Sequence, residues 1–254
     1  MDAVTPPNPL WQTAPRQVTL PPGEVHVWRA DLEVGAAALQ GLRETLSADE
    51  QARAERFHFP ADRDRYTAGR GILRALLARY LGTSPRDLRF TYNPQGKPAF
   101  MPASGTEDLR FNMSHSHRMG LFAFAHRREI GVDVEHVRPS LTNDQLPERF
   151  FSPQEVAELR ALPRSAQTDA FFRCWTRKEA YIKARGGGLS IDLSSFAVSL
   201  APSPLTFLPI IGFDGPEAGR WLLRALEPGD GYAAAVVAEG SDWSLALWQW
   251  QVTS

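Results

Sequence analysis

Apolar and polar positions alternate first in Glu24–Asp31 (EVHVWRAD), which puts Val25 and Val27 on one face and predicts a strand. Residues 1–23, rich in proline and polar side chains, predict a poorly ordered lead-in. Ser47-Ala-Asp-Glu50 has the spacing of a capping box and predicts a helix running to about Phe59, stopped by Pro60. A longer helix follows from about Asp62 to Leu81, closed by Gly82. It carries Arg63, Arg65, Arg70, Arg74 and Arg79. Gly69 and Gly71 each cost such a helix about 1 kcal/mol relative to alanine and imply close approach of a backbone or a ligand. Leu88–Tyr92 reads as a strand, Asn93–Pro98 as a turn with Lys97 near its tip, and Phe111–Ser116 leads into the apolar strand Met119–Ala125. His126–Glu129 then turns into Gly131-Val-Asp-Val-Glu135, which predicts a hairpin and sets Ser114 and His115 on a strand beside Asp133.

The second half repeats the first in outline. Ser152-Pro-Gln-Glu155 is another capping box, with a helix to about Leu162. A long helix from about Thr168 to Arg185 ends at Gly186-Gly187-Gly188. Its apolar stripe of Phe171, Trp175 and Ile182 is interrupted by Lys178, with Glu179 beside it. Phe196–Leu200, Trp221–Ala225, Tyr232–Ala238 and Trp243–Val252 alternate and read as strands. Ser47 and Ser152, Glu50 and Glu155, Gly82 and Gly187, and Leu88 and Leu193 each stand 105 positions apart in the same order of elements. The pattern predicts an α+β fold of two similar α/β halves in a pseudo-twofold arrangement, 24–125 and 126–254, with a ligand cleft between them.

Composition changes this picture little. At 254 residues with 43% hydrophobic and 22% charged residues, the chain is long enough for one large core or two smaller ones. A net charge of −1 gives no global field for nucleic acid or a membrane surface. No apolar run is long enough to span a bilayer, and Met1-Asp2 followed by prolines does not start like a secretory leader. Cys174 is the sole cysteine, which excludes an internal disulfide framework and fits a reducing, cytoplasmic setting.

The chemistry centres on residues 131–135. As a strand, Ile130, Val132 and Val134 face a core while Asp133 and Glu135 face the other way, with Gly131 expected to leave open space beside them. Two carboxylates so placed are either a solvated strand face or the edge of a cation site. Glu179 and Lys183 are either a surface i, i+4 ion pair or part of the same site. Asp133, Glu135 and Glu179 together would make an all-oxygen set, suited to Mg²⁺ rather than Zn²⁺. Lys97, His115 and the helix arginines around such a set have the makings of an anion cradle. A G-x-S-x-G elbow, a G-x-x-x-x-G-K-[ST] loop and a dinucleotide fingerprint after a strand are all missing, which argues against a serine hydrolase and the two commonest phosphate folds.

Gly131-Val-Asp-Val-Glu135 resembles the G-x-D-x-E motif of the 4′-phosphopantetheinyl transferases, and Trp175-Thr-Arg-Lys-Glu-Ala180 continuing to Lys183 resembles their W-x-x-K-E-[SA]-x-x-K motif. Gly96-Lys97-Pro98, Asn112-Met-Ser-His-Ser116 and Phe150-Phe-Ser152 with Glu155 are similar to three further segments, in family order. Length and two-halved organisation resemble the larger, monomeric class typified by the surfactin synthetase activator.

The resemblance implies transfer of the phosphopantetheine arm of coenzyme A to a serine of an apo acyl or peptidyl carrier protein, with release of 3′,5′-ADP. It implies Asp133, Glu135 and Glu179 as ligands of Mg²⁺, or of Mn²⁺ in its place, with Glu179 also as base. Lys178 and Lys183 fall to the pyrophosphate, Lys97, Ser114 and His115 to the adenosine phosphates, and Arg53 and Arg65 to the nucleotide. Trp175 falls to packing. Glu50 departs from a commonly basic position, which leaves Arg53 to carry that contact alone. Two rival readings are an Mg²⁺-dependent hydrolase of a nucleotide diphosphate and a non-catalytic binder of carrier domains.

Overall fold

The computed structural model describes residues 11–15, 17–92, 98–100, 108–138, 145–187, 191–202, 207–208, 210–212 and 219–251. In chain order the elements begin with β1 (Gln12–Thr13), β2 (Glu24–Asp31), α1 (Ala36–Arg43), α2 (Ala48–Ala54) and α3 (Pro60–Leu81). The short pair β3 (Phe90–Tyr92) and β4 (Pro98–Phe100) precedes β5 (Leu109–Ser116), β6 (Met119–His126) and β7 (Ile130–His136). The second helical group is α4 (Leu146–Phe150), α5 (Pro153–Ala161) and α6 (Arg164–Arg185). Strands β8 (Ala197–Val198), β9 (Phe207–Leu208), β10 (Ile210–Ile211), β11 (Trp221–Leu226), β12 (Tyr232–Glu239) and β13 (Ser244–Gln249) complete the described chain.

Two sheets form the centre. The first runs β1-β13-β2-β6-β5 and the second β7-β12-β11-β9. Period-two alternation on each strand feeds two cores at once. Val25, Val27, Leu121 and Ala123 of the first sheet pack against Ile130, Val132, Val134 and Val236 of the second. On the outer face of the first sheet, Trp28, Phe122 and Phe124 meet Ile72, Leu73 and Leu76 of α3. On the outer face of the second, Ala233, Ala235 and Val237 meet Phe171, Ala180 and Tyr181 of α6. The order of layers is therefore helix, sheet, sheet, helix. Among the described residues no helix is long and apolar enough to cross a membrane.

The two halves follow one plan. Strand order β2-β6-β5 in the first corresponds to β7-β12-β11 in the second, and α3 and α6 are each 22 residues long. Both capping boxes form, and their glutamates are buried, Glu50 and Glu155 at 1% exposure each. Glu50 accepts from the Ser47 amide and pairs with Arg70 and with Arg74 Nε at 2.6 Å. Glu155 accepts from the Ser152 and Val198 amides and pairs with Lys178 Nζ at 2.7 Å. Each box thus caps its own helix and neutralises cations of the long helix that follows.

Several sequence expectations change. The helix opened by Ser47 ends at Ala54. Pro60 does not stop it but starts α3, where a proline has no amide to satisfy. The second glycine stop is Gly186, at φ +70°. The lead-in is tied down at two points: β1 pairs with β13, and Trp11 and Val18 are buried. The division at residue 126 is not clean either, because β13 lies between β1 and β2, parallel to both. The largest change concerns β6 and β7. They form no hairpin; β6 pairs with β2 and β5, while β7 crosses to the other sheet and pairs with β12.

Gly71 and Gly131 are the glycines that close packing requires. A Cβ at Gly71 would stand 2.6 Å from Leu42 Cβ of α1. A Cβ at Gly131 would collide with the Ala180 carbonyl oxygen and the Ala184 amide nitrogen of α6. The space beside Gly131, expected to be open, is filled by the helix backbone. Gly131→Ala is expected to lower unfolding stability by about 3 kcal/mol, the upper end of overpacking costs. Urea unfolding measures it, and an unchanged midpoint would mean that α6 can move away at little cost.

Candidate active site

The seam where edge strand β5 of the first sheet meets edge strand β7 of the second is sewn by side chains. Asn112, Ser114 and Ser116 alternate on one face of β5 and each reaches β7. Asn112 Oδ1 accepts from the Val132 amide at 2.9 Å. Ser114 Oγ donates to Asp133 Oδ1 at 2.8 Å, and Ser116 Oγ donates to Glu135 Oε2 at 2.7 Å while accepting from the His136 amide. The alternation also turns His115 outward to an exposed position.

Helix α6 closes the site from above Gly131. Lys183 Nζ reaches Asp133 Oδ1 at 2.6 Å and Ser114 Oγ at 3.0 Å, tying helix, β7 and β5 together. Glu179 lies one turn earlier on the same flank of α6. Asp133 is 3% exposed, and its second oxygen, Oδ2, is buried with no hydrogen-bond partner. Loss of hydration, then the nearby charge of Asp133, pushes the Glu179 carboxyl up to about 7, with Lys183 opposing and Glu135 adding to the rise. Glu135 is also raised, first by burial, with Asp133 adding to it and Ser116 and Lys183 opposing. The site therefore gathers more negative charge than Lys183 offsets.

Such a patch can hold a cation. Among the described residues no three histidine, cysteine or acidic side chains stand close enough to form a ready metal cage. The orphaned Asp133 Oδ2 and the two raised carboxyls nevertheless fit a divalent ion bound through oxygen. The donors are all hard, and a cation would supply the partner that the buried oxygen lacks.

The remaining expected residues distribute unevenly. Lys97 lies outside the described residues. Arg53 is exposed, its guanidinium 5.7 Å over the Tyr66 ring. Arg65 pairs with Glu33 at 2.6 Å and with Asp62 at 3.5 Å, and Asp62 is close enough to His115 to act on its charge. Trp175 packs as expected, against Phe150 and Phe171. Asn112 and Ser116 carry weight that the sequence reading did not give them, although the polar alternation of Asn112, Ser114 and Ser116 was its visible signal.

A family model described as "4′-phosphopantetheinyl transferase superfamily" matches residues 129–237, and one described as "4′-phosphopantetheinyl transferase, N-terminal" matches residues 33–126. The 4′-phosphopantetheinyl transferase HetI of Nostoc sp. is 41% identical over 240 residues, 94% of this chain and 98% of the relative. The chain belongs to the 4′-phosphopantetheinyl transferase superfamily. The 4′-phosphopantetheinyl transferase Sfp of Bacillus subtilis is 31% identical over 197 residues, 78% of this chain and 84% of that protein.

In this phosphopantetheinyl transferase Lys178 does not join the cluster. It is fully buried, and Nζ is held by Glu155, by the Leu193 carbonyl at 2.7 Å and by the Phe196 carbonyl at 2.6 Å. The expectation that it contacts a pyrophosphate is corrected: the charge that breaks the apolar stripe of α6 answers an internal carboxylate. Glu50 is likewise internal, so its departure from a basic residue is accounted for by Arg70 and Arg74.

Two outcomes follow from this geometry. Lys178→Met leaves the Glu155 charge buried without its cation and is expected to cost about 3–5 kcal/mol of stability in urea unfolding; a loss below 1 kcal/mol would show that the pair is dispensable. Glu179 has a folded pKa above its unfolded value, so its stabilising effect is present below pH 4.5 and is lost as pH rises through about 7. Glu179→Gln should therefore raise the melting temperature of metal-free protein at pH 8 by several degrees and leave it nearly unchanged at pH 4.

Proposed function

We propose that this phosphopantetheinyl transferase moves the 4′-phosphopantetheine arm of coenzyme A onto a serine hydroxyl of an apo acyl or peptidyl carrier protein. The serine oxygen forms a bond to the phosphorus of the pantetheine phosphate. The bond from that phosphorus to the bridging oxygen breaks, and 3′,5′-ADP leaves with the electron pair. The reading is supported by family membership across nearly the whole chain and by one structural observation. Residues from two separate motifs, Asp133 and Glu135 on β7 and Glu179 and Lys183 on α6, share a single electrostatic patch.

In this reading Asp133, Glu135 and Glu179 hold Mg²⁺, or Mn²⁺ in its place. When bound, the ion neutralises charge on the pyrophosphate and on the leaving phosphate. Glu179, with a carboxyl near neutrality, accepts the serine proton directly or through water. Lys183 contacts the pyrophosphate. Ser114 holds Asp133 in orientation and, with His115 and Lys97, borders the adenosine phosphates, His115 toward the 3′-phosphate. Arg53 and Arg65 flank the nucleotide from the other half. The enzyme works as a monomer in a reducing cytoplasm, in keeping with its single, buried Cys174, and its macromolecular partner is a carrier protein rather than nucleic acid or membrane.

Purified protein, coenzyme A, Mg²⁺ and an apo carrier should give a carrier heavier by the mass of the arm, together with 3′,5′-ADP. Breakdown of coenzyme A without a carrier would instead favour a hydrolase, and failure across a panel of apo carriers would favour a binding role. Asp133→Asn and Glu179→Gln should each lower turnover by about 100-fold or more while remaining folded, in the range for lost acid–base or charge-stabilising groups. Full activity in either variant would remove that residue from the site.

A further inference from the structure

The first four turns of α6, the residue Val137 beyond β7 and the paired ends of β11 and β12 line an open cavity of about 640 Å³. That size lies within the range of small-molecule sites. Arg164, Arg173 and Arg177 line it against two acids, Asp169 and Glu227, which leaves one positive charge in excess. Ala225, Leu226, Ala234 and the ring of Tyr232 give it an apolar wall.

Arg177 is the unusual member. It is 1% exposed, its two terminal nitrogens donate to the carbonyls of Ser199 and Ala201, and its Nε is buried with no hydrogen-bond partner. Beside it Arg173 Nε donates to the Leu200 carbonyl at 3.0 Å. Burial, followed by the charge of Arg173, pushes Arg177 down to about 10, and no carboxylate counters either effect. A guanidinium held out of water next to a second one calls for an anion. Carbonyl tethers to the 199–201 segment satisfy part of the guanidinium but bring no negative charge and leave Nε unanswered.

We propose that this cavity binds a small organic monoanion, a carboxylate on an apolar stem, with the carboxylate at Arg173 and Arg177 and the stem along the wall of β11 and β12. The single excess charge favours a monoanion, because Asp169 and Glu227 repel a second negative charge. The apolar wall favours a stem over a bare inorganic ion. The site is distinct from the acidic cluster. Arg177 and Glu179 are two residues apart on α6 and so project about 200° apart around its axis, on opposite flanks. The sites are nonetheless neighbours through the sheet, since Ala233 and Tyr232 pair with Glu135 and His136.

Isothermal titration of the full-length chain with octanoate, octanol and inorganic phosphate tests this. Octanoate is expected to bind once per chain, with octanol and phosphate at least tenfold weaker. Ser165→Trp, at an exposed lining position, should weaken octanoate binding at least tenfold, as should Arg173→Met, which spares the Arg177 tethers. Glu179→Ala should leave it unchanged. No binding of octanoate, octanol or phosphate binding equally well, or undiminished binding in both cavity variants would overturn the proposal. So would loss of binding in Glu179→Ala alone.

Discussion

Backbone-on-backbone contact between Gly131 and α6 sets the geometry of the site. Because Gly131 has no side chain, the helix lies directly on β7, and Lys183 comes within 2.6 Å of Asp133. A strand and a helix usually stand apart by the bulk of their side chains. Here that bulk is missing at one position, and the residues two and four places along the strand inherit the closeness. The raised carboxyls of Glu135 and Glu179 result from the same contact, since it removes water from acids that already repel one another.

The seam between β5 and β7 supplies the second support. Neither strand is hydrogen-bonded to the other as a ladder; side chains of Asn112, Ser114 and Ser116 make the connections instead. Polar side chains that would be costly in a dry interface are satisfied by partners across it. Each half of the molecule thus contributes one edge: the acids come from the second half, and the hydroxyl groups that hold Asp133 and Glu135 come from the first.

The two capping-box glutamates show how one local device can be reused in the core. In each half a helix cap doubles as the counter-ion for a buried cation on the next long helix: Arg70 and Arg74 for Glu50, Lys178 for Glu155. A buried pair of this kind is weak evidence of net stability, but neither partner can be lost cheaply. This explains why a lysine inside a family motif serves the fold, while Glu179, the next residue, faces the site.

Much of the architecture was legible from local pattern. Strand β2 was recovered at both ends, the long helices to within a few residues, and the two-halved plan from a 105-residue offset, because alternation, caps and glycine stops are short-range physics. The motifs also announced Asp133, Glu135, Glu179 and Lys183 as residues of one family signature. Local pattern could not show where β7 pairs, since crossing to a second sheet and folding into a hairpin demand the same alternation. Nor could it separate Lys178 from Lys183: both are lysines on one helix, and the difference lies in Glu155, 23 residues upstream, and in Asp133, on strand β7 beneath the helix. Residue types and their spacing were thus the sequence's own; which charges meet, which are left over and which glycine must stay bare were decided by packing, because those depend on distances between elements that no local pattern encodes.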